Sequence, residues 1–395
     1  MAIKYLEQAD FTGKKVVARF DFNVPLDKKD NKTITDTTRI DMALPTIKYL
    51  LEKKVSKLVL MSHLGRPDGK PNPKYSLEPV AKYLAEKLEL DVVLTESCLD
   101  RSMKTLLNLP ETKIVLLENL RFHPEEENND HDFAKVLASY GDFYVNDAFG
   151  TAHRKHASTY EINSFFKNKA YAGLLLKSEI EALDKVVNHP QTPFVGIVGG
   201  AKVSDKIKII EQLLVNVNEL LIGGAMAYPF LKAKGFTVGK SLCTQEDVDL
   251  AKHILNLPTG KKIVLPVDHL VSSEFNGPAS ILDTVNIPDN KMALDIGEKT
   301  LALYSQKLRT AKTVLWNGPM GLFENKDYAR GTFGIAETLA TLDAFTVVGG
   351  GDSVSAVNQS GLASKMSHVS TGGGASLEYI ENGTLPGIQA LKFGI

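Results

Sequence analysis

Short apolar runs that end in glycine recur through the second half of the sequence: Val195-Gly-Ile-Val-Gly-Gly, Leu220-Leu-Ile-Gly-Gly, Thr346-Val-Val-Gly-Gly-Gly and Val369-Ser-Thr-Gly-Gly-Gly. Each reads as a strand that stops in a bare-backbone turn. Two further strands end differently, Ile263-Val-Leu-Pro-Val-Asp and Val314-Leu-Trp-Asn-Gly-Pro. Helical stretches lie between them, such as Ile207–Val217 with Ile210, Leu213, Leu214 and Val217 on one stripe. Alternating strands and helices imply a parallel, doubly wound sheet.

The first half follows the same plan with less glycine. Strands are expected at Val16–Phe20, Leu58–Met61, Ile114–Leu117 and Phe143–Val145. A helix is expected from Ser76, its cap, through Val80, Leu84 and Leu88. The reading is therefore α/β: two doubly wound parallel-sheet (Rossmann-like) domains, with no unit repeating every 20–50 residues. The segment from Lys177 to His189 reads as one joining helix, with Ser178 as cap and Ile180, Leu183 and Val187 as its apolar stripe. Pro190 and Pro193 then stop it. The expected boundaries are 1–176, a hinge helix at 177–189, and a second domain from 190.

Composition sharpens the contrast between the halves. Of 30 glycines, 24 lie after residue 190; of 8 arginines, 6 lie before residue 160. The formal charge is only -1, which speaks against a nucleic-acid surface held by bulk positive charge. The two cysteines, Cys98 and Cys243, fit neither metal-ligand nor redox spacing, so a reducing cytoplasm is expected. No secretory signal is read at the N-terminus, and no apolar run approaches the roughly 18 residues of a membrane span. A monomer is the default, since no heptad or exposed apolar stripe demands a partner.

In open α/β sheets, ligands sit outside the carboxyl ends of the strands. Glycine there lets backbone N–H groups approach an anion, and the next helix adds its N-terminal dipole. One glycine pair is ordinarily a turn. Four in the same topological position point to a phosphate-bearing ligand. The familiar alternatives fail: Gly235-Phe-Thr-Val-Gly-Lys-Ser is one residue short of a Walker A loop, and Gly349-Gly-Gly-Asp-Ser-Val lacks the last glycine of a dinucleotide fingerprint. Gly350-Gly351-Asp352-Ser353 instead sets backbone donors beside one carboxylate, suited to a phosphate-bound Mg²⁺. Lys202 and Lys206 lie where a strand gives way to a helix, within reach of phosphate oxygens or solvated on a helix face.

The arginines tell a parallel story. Arg39 lies at a turn-to-helix start. Arg66, Arg121 and Arg154 each follow an expected strand end, with His63, His123, His153 and His156 close by. Guanidinium forks match carboxylate and phosphate geometry, and Asp21 and Asn23 at the end of the first strand can hold a hydroxyl. The expected ligand is small, anionic, phosphorylated and hydroxylated. His153-x-x-His156 and Arg121-x-His123 complete no recognisable metal spacing, and no G-x-S-x-G elbow marks a serine hydrolase. A basic half and a glycine-rich half suit phosphoryl transfer between a nucleotide and a small acid. A non-catalytic two-domain sensor of nucleotide or phospho-metabolite is the alternative, with a dehydrogenase third.

Together these motifs resemble the phosphoglycerate kinase family. Arg19-Phe-Asp-Phe-Asn-Val-Pro, Ser62-His-Leu-Gly-Arg-Pro, Glu118-Asn-Leu-Arg-Phe, Asn146-Asp-Ala-Phe-Gly-Thr-Ala-His-Arg, Gly199-Gly-Ala-Lys-Val-Ser-Asp-Lys, Trp316-Asn-Gly-Pro-Met-Gly, Gly349-Gly-Gly-Asp-Ser and Thr371-Gly-Gly-Gly-Ala-Ser-Leu-Glu follow in that family's order across nearly the whole chain. Phe20, Lys155 and Thr371 depart from the usual residues. The resemblance implies reversible phosphoryl transfer between ATP and the carboxylate of 3-phosphoglycerate. It implies that Asp21, Asn23, Arg39, His63, Arg66, Arg121 and Arg154 bind 3-phosphoglycerate. Lys206, Asn317, Glu324 and Gly350–Ser353 would serve ATP or ADP, with Asp352 near Mg²⁺ and Glu324 near the ribose. Arg39, Lys202, Lys206 and the Gly372 and Gly373 amides would surround the transferred phosphoryl. It also implies that the second domain ends near residue 380 and that 381–395 return to the first.

Overall fold

The structure, a computed structural model, describes residues 2–394. The first half supplies β1 (Lys15–Arg19), β2 (Lys57–Met61), β3 (Val92–Leu94), β4 (Ile114–Leu116), β5 (Phe143–Asn146) and β6 (Ala170–Ala172). They form one parallel sheet in the order β3-β4-β2-β1-β5-β6. The chain leaves β1 toward β2 and leaves β5 toward β6. The crossovers therefore part between β1 and β5, where the carboxyl ends open a crevice.

Strand alternation decides what faces that crevice. Val16, Ala18, Phe20 and Phe22 join Leu58, Leu60, Ile114, Leu116 and Val145 in one buried core. The helix Thr38–Glu52 adds Ile40, Ala43, Ile47 and Leu50 to it at near-helical spacing. Arg19, out of phase by one residue, turns to the opposite face.

The second half contributes β7 (Phe194–Val198), β8 (Glu219–Ile222), β9 (Ile263–Val264), β10 (His269–Ser272), β11 (Ser280–Leu282), β12 (Met292–Ile296), β13 (Thr313–Asn317), β14 (Phe345–Gly349) and β15 (His368–Val369). Six form a parallel sheet in the order β15-β14-β13-β7-β8-β9. Its crossovers part between β7 and β13. The other three form a separate antiparallel sheet, β11-β10-β12, which the sequence did not announce. β9 is shorter than the run Ile263–Asp268 suggested, since Pro266 has no N–H for a ladder.

By backbone contacts the chain forms two compact units, Met1–Glu181 with Thr384–Ile395, and Ala182–Gly383. The division falls inside the helix Leu174–Val187 rather than at its ends. Ser178 is not its cap, because the helix starts earlier, on acceptors supplied by distant residues. Leu174 N–H donates to Thr46 Oγ1 at 2.9 Å and Leu176 N–H to Asp147 Oδ1 at 3.0 Å. Ser76 is likewise displaced: the helix Glu78–Leu88 has Leu77 as its N-cap. Ser76 Oγ accepts from Glu78 N–H while donating to Glu118 Oε2 at 2.7 Å. Among the described residues no helix is long and apolar enough to cross a membrane.

Asp147 is fully buried, and that burial raises its carboxyl to about 6. Removing it strands a helix N-terminus inside protein. Asp147→Ala is expected to cost about 1–2 kcal/mol, read as a lower urea midpoint by circular dichroism. Asp147→Asn, which keeps the acceptor oxygen, should recover most of it.

Candidate functional site

In the first unit, the loops after four strands are tied into one crevice floor. Asp21 ends the β1 segment, and its Oδ2 accepts from Arg39 Nη1 at 2.5 Å. Its Oδ1 accepts from Asn23 N–H at 3.2 Å. Asn23 Oδ1 accepts from Gly65 N–H at 2.8 Å, and Arg121 Nη1 donates to Gly65 O at 3.0 Å. The residues after β1, β2 and β4 are thus joined by consecutive hydrogen bonds. The turn after β5 comes equally close: a Cβ on Gly150 would overlap the Asp21 carboxylate. Arg66 and Arg154 are exposed, and their side chains make no hydrogen bond or ion pair among the described residues.

His63 is buried, and its Nδ1 lies 3.1 Å from Arg19 Nη2. Burial, then the charges of Arg19, Arg121, Arg39 and His156, hold its pKa well below the usual range. Burial and Arg121, Arg19 and Arg154 bring His156 down to about 3. The crevice therefore carries fixed guanidinium charge with neutral imidazoles among it, a surface for an anion with several oxygens.

In the second unit, the cluster sits where β7, β13 and β14 end. Lys206, just before the helix Ile207–Asn216, donates from Nζ to Gly199 O at 2.7 Å and to Asn317 Oδ1 at 2.6 Å. Asn317 Nδ2 donates to Gly349 O at 2.8 Å, and Gly318 N–H to Ser353 Oγ at 2.5 Å. Backbones approach so closely that side chains are shut out. Gly318 has φ 97°, and a Cβ there would overlap Gly199 O; Gly350 has φ 89°, and a Cβ would lie 2.5 Å from Asn317 Nδ2. Gly350 caps the helix Gly351–Gln359, whose first turn carries the exposed Asp352. Bare glycine backbone, helix N-terminus, lysine and carboxylate are then the ingredients suited to a nucleotide phosphate.

Lys202 and Glu324 are exposed on loops of the same unit. Gly372 and Gly373 precede the helix Gly374–Asn382, after the edge strand β15, with Gly373 at φ 53°. Arg39 belongs to the first unit, while Lys202, Lys206, Gly372 and Gly373 belong to the second. Three residues escaped the sequence reading. Gly150 carried no signal beyond being glycine. Arg19 could have been suspected as a charge within the run Val16–Phe22. Glu126 looked like one member of an acidic run at 125–127, yet it is fully buried.

Two clusters with phosphate-suited chemistry, each at the switch point of a parallel sheet, are what a small-molecule kinase needs. Comparison with known proteins gives the same answer in detail. The model of the family described as phosphoglycerate kinase matches residues 6–383. A phosphoglycerate kinase of Anaeromyxobacter sp. is 53% identical over 99% of this chain and 100% of its own length. One from Borrelia hermsii is 50% identical, again over 99% and 100%. The solved phosphoglycerate kinase of Coxiella burnetii superposes with a TM-score of 0.89 at 38% identity, covering 99% of this chain and 98% of that one. That of Pyrococcus horikoshii gives 0.83 at 32% identity, covering 99% of each. The chain belongs to the phosphoglycerate kinase family, and it is a phosphotransferase. A non-catalytic sensor finds no support.

Burial holds the Lys206 ammonium down to about 8, against the opposing pull of Asp352 and Asp205. The charged form is the one suited to phosphate, and it is lost as pH rises through that value. The KM for ATP is expected to rise by up to about tenfold per pH unit above 8, measured at saturating acceptor. A KM flat to pH 9.5 would show that a Lys206 ammonium lost near pH 8 does not govern ATP binding.

Proposed function

We propose that the two crevices divide the substrates of the family reaction: 3-phosphoglycerate on the first unit, ATP or ADP on the second. In this reading Asp21 and Asn23 hold the hydroxyl end of the acceptor. Arg66, Arg121 and Arg154 meet its anionic groups, with His63 as a neutral donor. The observation that carries the assignment is the chain of contacts Arg39–Asp21–Asn23–Gly65–Arg121, which gathers Asp21, Asn23, Arg39 and Arg121 from separate loops.

The nucleotide side follows from Lys206, Asn317 and Gly350–Ser353, with Glu324 set for the ribose. Mg²⁺ ordinarily takes one or two protein carboxylates and completes its shell with phosphate oxygens and water. Asp352, exposed at a helix start, fits that need. Among the described residues there is no group of three or more His, Cys, Asp or Glu placed to hold a metal alone. The ion would therefore come with the nucleotide, and it neutralises phosphate charge when bound.

The nucleophile is a carboxylate with a pKa near ~4, already ionised at neutral pH. The chain therefore needs no general base. Its task is positioning and charge stabilisation: Arg39, Lys202, Lys206 and the Gly372 and Gly373 amides meet the equatorial oxygens of the transferred group. The helix Leu174–Val187 is proposed as the hinge that lets the two substrates meet away from water. The reading includes a cytoplasmic monomer.

A coupled assay with ATP, Mg²⁺, 3-phosphoglycerate and an NADH-consuming second enzyme is expected to report turnover. Silence from folded protein would overturn the reading. Arg39→Ala should lower kcat by about 10²–10³ with little change in ATP affinity. An unchanged kcat would remove Arg39 from the transfer step.

A further inference from the structure

Beneath the first-unit crevice lies a buried relay that the family reaction does not call upon directly. Arg19 has no exposed surface, yet it carries a full charge at the end of β1. Its Nε–H donates to Ser158 Oγ at 2.9 Å, its Nη1 to Phe20 O, and its Nη2 to His63 Nδ1 at 3.1 Å. Ser158 Oγ in turn donates to Glu126 Oε1 at 2.6 Å, and Ser158 N–H to Glu126 Oε2 at 3.0 Å. Glu126 is fully buried on the short helix Pro124–Glu127. Its backbone carbonyl accepts from Ala157 N–H at 2.9 Å, and its Oε1 lies 3.9 Å from His156 Nδ1.

The direction of each bond follows from what each group can do. A guanidinium has no acceptor, so His63 Nδ1 must accept. Neutral imidazole with Nδ1 accepting carries its proton on Nε2. Ser158 must present a lone pair to Arg19, so its single proton goes to Glu126. Glu126 accepts twice from Ser158 and is the carboxylate facing the buried Arg19 charge.

We propose that Glu126 is a positioning residue that acts through Ser158 and Arg19 to fix His63 as an Nε2–H donor toward the acceptor substrate. This rests on the reading of the first-unit crevice as the 3-phosphoglycerate site. Without Ser158 and Glu126 the Arg19 guanidinium loses its anchor and its counter-charge and swings off His63 Nδ1; an unpinned His63 shares its proton between the two nitrogens, and a fraction of the molecules then turn a lone pair toward an anion. Glutamine at 126 keeps the shape but removes the charge. Its amide nitrogen either opposes Ser158 N–H or donates to Oγ and turns the hydroxyl proton toward Arg19. Alanine at 158 cuts the same relay while leaving the acid in place.

The test uses the full chain labelled with ¹⁵N-histidine, with His63 assigned through His63→Gln. The native protein should show one neutral Nε2–H tautomer for His63. Glu126→Gln and Ser158→Ala should each give an averaged tautomer and raise the KM for 3-phosphoglycerate about tenfold, the scale of a lost hydrogen bond to a charged group. The KM for ATP should stay as it was. A single Nε2–H tautomer in both variants overturns the proposal even if KM rises, because packing alone would do that. An averaged tautomer with an unchanged KM overturns it as well. Should Glu126→Gln fail to fold, Ser158→Ala decides. Arg66→Ala separates the two readings. If it leaves the KM for 3-phosphoglycerate untouched, the site assignment itself is wrong. If it raises that KM while the relay variants do not, only the role of Glu126 falls.

Discussion

A guanidinium buried without water is costly, several kcal/mol, unless its donors and its charge are both matched. Arg19 is such a group, and much of the first unit's crevice is arranged around it. One side of it meets Phe20 O and His63 Nδ1; the other meets Ser158 and, beyond, the carboxylate of Glu126. These partners come from the ends of β1 and β2, from the segment after β4 and from the segment after β5. Satisfying one charge therefore brings four stretches of chain into register. Arg66 and Arg154, by contrast, are exposed.

The second unit solves a different problem with different means. Where β7, β13 and β14 end, much of the packing is backbone against backbone, so the limiting quantity is how closely the strand ends can approach. Gly199, Gly318 and Gly350 remove the side chains that would collide. Lys206 then reaches Gly199 O and Asn317 Oδ1 and stands half-desolvated between two strand ends. A lysine in that position is held by carbonyl dipoles rather than by a carboxylate in contact, and its charged form is destabilised by burial. The glycine excess after residue 190 and the arginine excess before residue 160 correspond to two surfaces of different chemistry, one of bare amides and dipoles, one of forked cations.

Much of this was legible. Strand positions came within a residue or two at β1, β2, β4, β5, β7, β8, β13 and β14, because each is a short apolar run ended by polar or glycine punctuation. β3 and β6, three residues each, and the antiparallel β10–β12 sheet carried too little pattern to be seen. The starts of the helices at 78 and 174 were misplaced for one reason. Ser76 and Ser178 looked like caps, but Glu118, Thr46 and Asp147 lie far along the chain and take part in setting those ends.

The site shows the same division. Local sequence was enough to place particular residue types at the carboxyl ends of the strands, and hence to point to an anionic, phosphorylated ligand. Local pattern suffices there, since strand, turn and helix start are set within about ten residues of one another. Only the tertiary structure decided that Glu126, in a run of three acids, is inside rather than in water, that Ser158 links it to Arg19, and that Gly150 must stay bare beside Asp21. Those facts depend on which strands neighbour which, and burial of a charge is a property of the surroundings the whole fold provides, not of the residue or its neighbours in sequence.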